Sequence, residues 1–475
     1  VASRDAPHAN TTLTIGLITI VSAVAFEEVA VATVLPAASR ELGWPNLYGW
    51  AFSAFLLAGL VSIVVGSDIA DHEGPLRPFL ASIALFAAGL VISGAAPTMP
   101  VFIAGRAVQG SGSGTIAALA YLCISRGYPD SQRPRLLALL SSAWVLPALI
   151  GPALAGLAAD RASWRLVFVA LLPLLALAAA MMLPGLRGLG SDPAAERSAA
   201  GRGWLAVRLA AGAVLFLAAL DTGAAVLVWP LAVAGLWLGV PALRRLFPAG
   251  TLTARPGLPA ALAVRGLLTF GYFGVEAFLP LGLTRLRGLT ATEAGTILTA
   301  AGLSWTAGSW LQARLDQRDD GAGRSPRASL GLLLVLVGGV LAAVPVLDTA
   351  LSPWATVAGW AVGGLGMGIA YPTLSVIVLG LAGAGEEGMA SAALTLAESL
   401  SVAVAAGLGG GAIALARGAG WGEAHGIAAA YAIGLAGLLL GLLAARRMGR
   451  LSFPASPSRP GEASAPALAQ PAAGD

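Results

Sequence analysis

Four glutamates sit inside stretches that are otherwise almost wholly apolar: the adjacent Glu27 and Glu28, then Glu276, then Glu398. A carboxylate in such surroundings is costly unless it is protonated, paired or facing water, so each is a candidate to bind and release a proton. Neighbouring residues on a helix point about 100° apart, so Glu27 and Glu28 cannot both face one cavity. Glu27 is expected to be the principal proton-binding carboxylate. The alternative for Glu276 and Glu398 is a structural hydrogen bond to a neighbouring helix. Arg106 and Gln109 lie one helical turn apart in another apolar stretch. A guanidinium there costs about 2.5–3.5 kcal/mol on insertion scales and is kept where it pairs or relays protons, unless it snorkels from a helix end.

These groups need membrane helices to hold them. Gaps rich in Arg, Pro, Gly and Asp divide the chain into apolar runs near 13–37, 48–65, 79–95, 101–125, 136–159 and 164–186. A polar connector follows at 187–203, then two shorter spans at 205–220 and 224–240 joined by the tight Asp221-Thr222-Gly223 turn. Six more follow at 258–283, 294–312, 328–347, 354–379, 389–416 and 426–445. The expected division is a six-helix bundle over 13–186, the connector, an inserted hairpin over 204–242, a second bundle over 258–446, and a disordered Pro- and Ala-rich tail over 450–475. That makes about fourteen transmembrane helices in an all-α protein.

Composition agrees with that class. Of 475 residues, 57% are hydrophobic and only 11% charged, against about a quarter charged in soluble domains. The net charge of +4 comes from arginines scattered in short gaps rather than gathered on one face, which argues against nucleic acid. The single cysteine, Cys123, and the dispersed His8, His72 and His425 offer neither a disulfide nor a metal cluster. The first apolar run holds two glutamates and continues too far for a signal peptide, so it reads as the first helix. The glycine run from Gly110 to Gly114 lacks the lysine of a phosphate loop, because the chain has no lysine. Ion coupling is then the expected energy source, with no cofactor. Short cytoplasmic loops are enriched in basic residues. Nineteen of the 28 arginines fall on one side of the expected topology and six on the other. Both termini are therefore expected in the cytoplasm.

Several motifs resemble the major facilitator superfamily. The segment from Ser67 to Arg77 is similar to its G-x-L-a-D-r-x-G-r-r-r loop, with Asp71, Gly74 and Arg77 in place and Ser67, His72, Pro75 and Leu76 departing from it. Arg106, Gln109, Gly110 and Gly112 fit its R-x-x-Q-G-x-G pattern. The run Pro147 to Gly156 resembles the antiporter motif g-x-x-x-G-P-x-x-G-G at Gly151, Pro152 and Gly156. Trp164-Arg165 with Phe168 and Pro173, and Glu27 nine residues before Pro36, resemble the fourteen-helix drug/proton antiporter branch.

The resemblance implies two bundles that rock about a midplane site, a loop that latches them through Asp71 and Arg77, and close approach of Gly151 to the other bundle. It implies a proton-coupled exporter of small amphiphilic organic compounds, a multi-pass protein of a bacterial plasma membrane acting as a monomer, and not an enzyme. An exporter dedicated to one metabolite or lipid, and a proton-coupled uptake symporter, remain alternatives. The aromatic residues Tyr121, Trp144, Phe270, Tyr272, Trp305 and Trp310 could line its cavity or simply pack.

Overall fold

The computed structural model describes residues 6–129, 131–190, 200–222, 225–319, 321–383 and 387–448. Most of the connector and the whole 450–475 tail lie outside these residues, as does Gly223 of the hairpin turn.

The described residues are helical throughout, apart from short turns. The first bundle comprises α1 (Ala6–Leu42), α2 (Trp50–Glu73), α3 (Leu76–Gly94), α4 (Met99–Gly127), α5 (Arg133–Ser142), α6 (Val145–Arg161), α7 (Leu166–Val169) and α8 (Leu171–Arg187). The hairpin is α9 (Ala200–Asp221) and α10 (Ala225–Leu246). The second bundle comprises α11 (Leu258–Glu276), α12 (Leu279–Arg285), α13 (Ala291–Arg318), α14 (Arg324–Leu347), α15 (Ala355–Leu381), α16 (Glu387–Gly418) and α17 (Glu423–Ala445).

Three of the expected spans are broken, and proline explains each break. Proline lacks the N–H that would bond the carbonyl four residues earlier. Pro147 leaves Ala143 without that bond between α5 and α6, Pro173 does the same to Val169 between α7 and α8, and Pro280 to Glu276 at the end of α11. In an apolar setting freed carbonyls need new donors. Ser22 Oγ donates to Ala143 O at 2.9 Å, and Tyr48 OH donates to Ala277 O at 3.3 Å, next to the carbonyl that Pro280 frees. A side chain from α1 thus seals the break between α5 and α6.

Twelve helical stretches among the described residues are long and apolar enough to cross a membrane. The expected count of fourteen is not reached by length and composition. The two that fall short are the fifth, split into α5 and α6, and α13, whose charge-free middle is thinned by threonine, serine and glycine.

Without a hydrophobic force between helices in lipid, small residues let backbones approach. Gly110 and Gly114 of α4 lie against Phe55 and Gly59 of α2, Gly338 and Gly363 join α14 to α15, and Gly212, Gly235 and Gly239 knit the hairpin together. The two bundles meet along two seams, α6 against α13 and α2 against α16. Helix α9 lies over the second seam. Its Leu217 and Leu220 meet Gly407 and Gly411 of α16, while Trp50 of α2 donates from its indole to Asp221.

Candidate functional site

Each bundle holds one arginine–glutamate pair within its helices, the first fully buried and the second with its carboxylate 30% exposed. In the first, Arg106 on α4 reaches Glu27 on α1, and both are sealed from solvent at 2% and 0% exposure. The same guanidinium donates to Gln109 Oε1 at 2.9 Å and to Ala51 O at 3.1 Å, and lies 4.2 Å over the Phe55 ring. A buried pair survives only when further hydrogen bonds satisfy the charges, and Gln109 and the α2 carbonyl supply them. Arg106 pairs rather than snorkels.

In the second bundle, Arg265 on α11 donates to Glu398 on α16 at 3.1 Å and to Tyr371 O on α15 at 2.9 Å. The Tyr371 hydroxyl donates to the same carboxylate, 2.9 Å from Oε2, and its ring lies 3.1 Å beneath the guanidinium. Arg265 and Tyr371 were absent from the expected site. The cost argument applied to Arg106 applies equally to Arg265, whereas nothing in the spacing marks Tyr371.

Glu28 is different. It is half-buried and has no hydrogen-bond or ion-pair partner among the described residues. Across the gap between bundles it lies close enough to Glu398 for their charges to interact, as does Tyr121 on α4. The first pair is sealed inside its bundle, so the carboxylates that reach the gap are Glu398, which is ion-paired, and Glu28, on which Arg106 acts only at longer range. Glu276 ends α11 at its break, half-buried and near Tyr272 but away from either pair.

The expected aromatic residues divide. Tyr272 stacks on Trp360 with centroids 4.8 Å apart and meets Trp305 at 5.6 Å, and Trp305 meets Tyr371 at 5.4 Å, so an aromatic wall adjoins Glu398. Tyr121 is 62% exposed. Phe270 packs against Gly437 of α17, and Trp144 and Trp310 are exposed without joining the wall.

The conformational motifs depart from expectation in two places. Asp71 pairs with Arg126 of its own bundle at 2.7 Å, and exposed Arg77 meets Glu73 at 3.4 Å, so neither bridges the bundles. Gly74 ends α2 with a φ of 85°, which favours glycine. A comparable turn joins α13 to α14, where Asp316 and Asp319 bind Arg324 and Arg327. A Cβ on Gly151 would meet Val29 at 2.9 Å and Phe26, both on α1, so this glycine fits its own bundle together and not the seam. The glycine of this motif that reaches the other bundle is Gly156. It abuts the Ala291 backbone of α13, Gly295 abuts Pro152, and Gly302 abuts Ala148.

These seam contacts gather at the end of the molecule opposite the termini. There Asp160, at the end of α6, accepts from Ala291 N at 3.1 Å, Thr292 N at 2.7 Å and Thr292 Oγ1 at 2.6 Å. Partial burial pushes its carboxyl up, but the bonds from Thr292 and Ala291 outweigh this and hold it below the usual carboxylate range. Along the other seam, Ser53 Oγ donates to Ala403 O at 2.7 Å and Gly49 abuts Gly410. Trp164 and Arg165 clasp Glu41, each at 2.7 Å, and fix the same end within the first bundle. The bundles are thus held together at the far end, whereas toward the termini Tyr121 is exposed and Glu28 and Glu398 are half-buried.

Comparison with known proteins agrees with this architecture. Residues 17–406 match the Major Facilitator Superfamily. A probable multidrug-efflux transporter of Mycobacterium tuberculosis is 28% identical over 371 residues, covering 74% of this chain and 76% of that protein. The multidrug transporter protein MdtP of Bacillus subtilis is 27% identical over 387 residues, covering 79% of this chain and 70% of its own. Among solved structures, an auto-inhibited POT family peptide transporter aligns with a TM-score of 0.68 at 15% identity, over 94% of this chain and 99% of that one. A human organic anion transporter aligns at 0.59 and 16% identity, over 93% and 100%. At these identities the structural likeness carries the fold alone. The chain is a multi-pass membrane transporter, not an enzyme, and it belongs to the major facilitator superfamily.

Proposed function

We propose that this transporter exports amphiphilic organic compounds in exchange for protons, and that Glu28 is the carboxylate at which proton and substrate compete. The observation that carries the reading is the charge balance of the gap. Glu27 and Glu398 each hold an arginine in an ion pair, whereas half-buried Glu28 holds none, feels Arg106 only at longer range and lies near Glu398 of the other bundle. A lone carboxylate there is neutralised either by a proton or by the positive end of a substrate, and occupancy by one excludes the other. Spacing alone favoured Glu27, but its seal behind Arg106 suits it to holding α1 against α4. Trp305 and Tyr371, backed by buried Tyr272, offer flat apolar surface beside Glu398.

Helices α5–α6 and α13 cross the bilayer as well, giving fourteen crossings divided into bundles over 13–186 and 258–446 with the hairpin over 204–242. The arginine asymmetry puts both termini in the cytoplasm of a bacterial cell, so the end where Tyr121 is exposed faces inward. The names of the bacterial relatives favour a range of substrates over one dedicated metabolite. Purified protein in liposomes, given a pH gradient and a panel of lipophilic cations and neutral analogues, should drive cation accumulation on the acidic side. Transport indifferent to the gradient would sink the proton-coupled reading.

A further inference from the structure

The N-terminus of α13 is completed by the opposite bundle. A helix start leaves backbone N–H groups without intrahelical partners. Thr290 and Glu293 form a capping box that satisfies two of them, with Thr290 N donating to Glu293 Oε2 at 2.8 Å and Glu293 N to Thr290 Oγ1 at 3.2 Å. The other two, on Ala291 and Thr292, donate to Asp160 of α6. The carboxylate also lies where a helix dipole favours negative charge. Around it the seam is built of backbone contacts at Gly156, Gly295 and Gly302, which are close but carry no charge.

We propose that Asp160 is the positioning residue that sets the resting state of the transporter, a latch that holds the far end shut until the bundles rock. Opening the far end exchanges three bonds from α13 for water, and closing restores them. The glycine contacts supply shape and the carboxylate supplies direction, because among the described residues only it is bonded to orphan donors of the other bundle. The latch adds to the alternating-access part of the proposed function, but it concerns the equilibrium between two conformations and not the cargo or the coupling ion.

The experiment measures that equilibrium directly, without substrate or gradient. Spin labels at Arg40→Cys and Ser352→Cys report the distance between bundles at the far end, where both residues are exposed. Cys123 is buried and takes no label. Unaltered protein should show a dominant short distance. Asp160→Ala should raise the ratio of long to short distances about ten-fold, the order expected for losing one good helix cap. Asp160→Asn should fall between, since its amide accepts without charge, and Asp160→Glu should restore part of the short population. Thr292→Val, which keeps the backbone N–H but removes one of the three bonds, should shift the ratio less than Asp160→Ala. Should Asp160→Ala fail to fold, Asp160→Asn and Thr292→Val carry the comparison. Distance distributions that superimpose on the unaltered protein across these variants would overturn the latch. A shift in distances together with transport indifferent to pH would keep the latch and reject proton exchange.

Discussion

Replacing Arg106 by glutamine should strand Glu27. The carboxylate is fully buried, and the substitution removes its ionic partner while also depriving Ala51 O and Gln109 Oε1 of a donor. Breaking a buried pair by removing one member costs about 3–5 kcal/mol in soluble proteins. In a membrane the unfolded helices find other partners, which lowers such values, so about 2–3 kcal/mol is the better expectation. The double variant Glu27→Gln with Arg106→Gln leaves two neutral amides within reach of each other and should recover much of that loss. A double-mutant cycle of unfolding free energies in detergent micelles isolates the coupling between the two residues. A coupling above about 1 kcal/mol supports the pair as the clamp between α1 and α4. Additive losses would mean that the two side chains do not depend on each other, and the division of labour between Glu27 and Glu28 would lose its basis.

Other expectations are simpler to test. Gly156→Leu should force α6 from the Ala291 backbone and cut transport by at least ten-fold with expression retained, whereas Gly151→Leu should chiefly lower thermal stability by crowding Phe26 and Val29; the two transport rates and melting curves check the contrast. Tyr371→Phe removes the hydroxyl bond to Glu398 but keeps the ring under Arg265, so substrate KM should change several-fold while folding is retained, a result read from transport kinetics. The Asp160 contribution should be constant between pH 5 and 8. Its carboxyl is depressed in the closed state, so the stabilisation is present above the free carboxylate value of about 3.9 and lost as pH falls through the lower bound-state value, which far-end spin-label distances at stepped pH would show.

How much of this was legible depended on whether the information was local. Arg106 and Gln109 announced themselves because their cost in an apolar helix is a property of one segment, and the helices followed from hydropathy. The three helix breaks were also written locally, in Pro147, Pro173 and Pro280, but Pro36 and Pro152 sit inside unbroken helices. Proline frees a carbonyl at every such position, and tertiary packing decides whether the helix parts there. The Arg265–Glu398 pair joins residues 133 positions apart, and Asp160 meets Thr292 across 132. No periodicity encodes such neighbours, since each helix presents several faces and the sequence does not say which neighbour a face meets. The same limit misdirected Gly151, whose motif marks close packing without naming the helix it packs against.

The central claim is that Glu28, and not Glu27, is where proton and substrate compete. Liposomes holding unaltered protein, Glu27→Gln or Glu28→Gln, each given the same imposed pH gradient and one lipophilic cation, test it most directly. Glu28→Gln should lose gradient-driven accumulation while retaining exchange of a neutral analogue. Glu27→Gln should keep coupled transport at a rate reduced only as far as its stability falls. Full coupling in Glu28→Gln, or complete uncoupling confined to Glu27→Gln, would contradict the account.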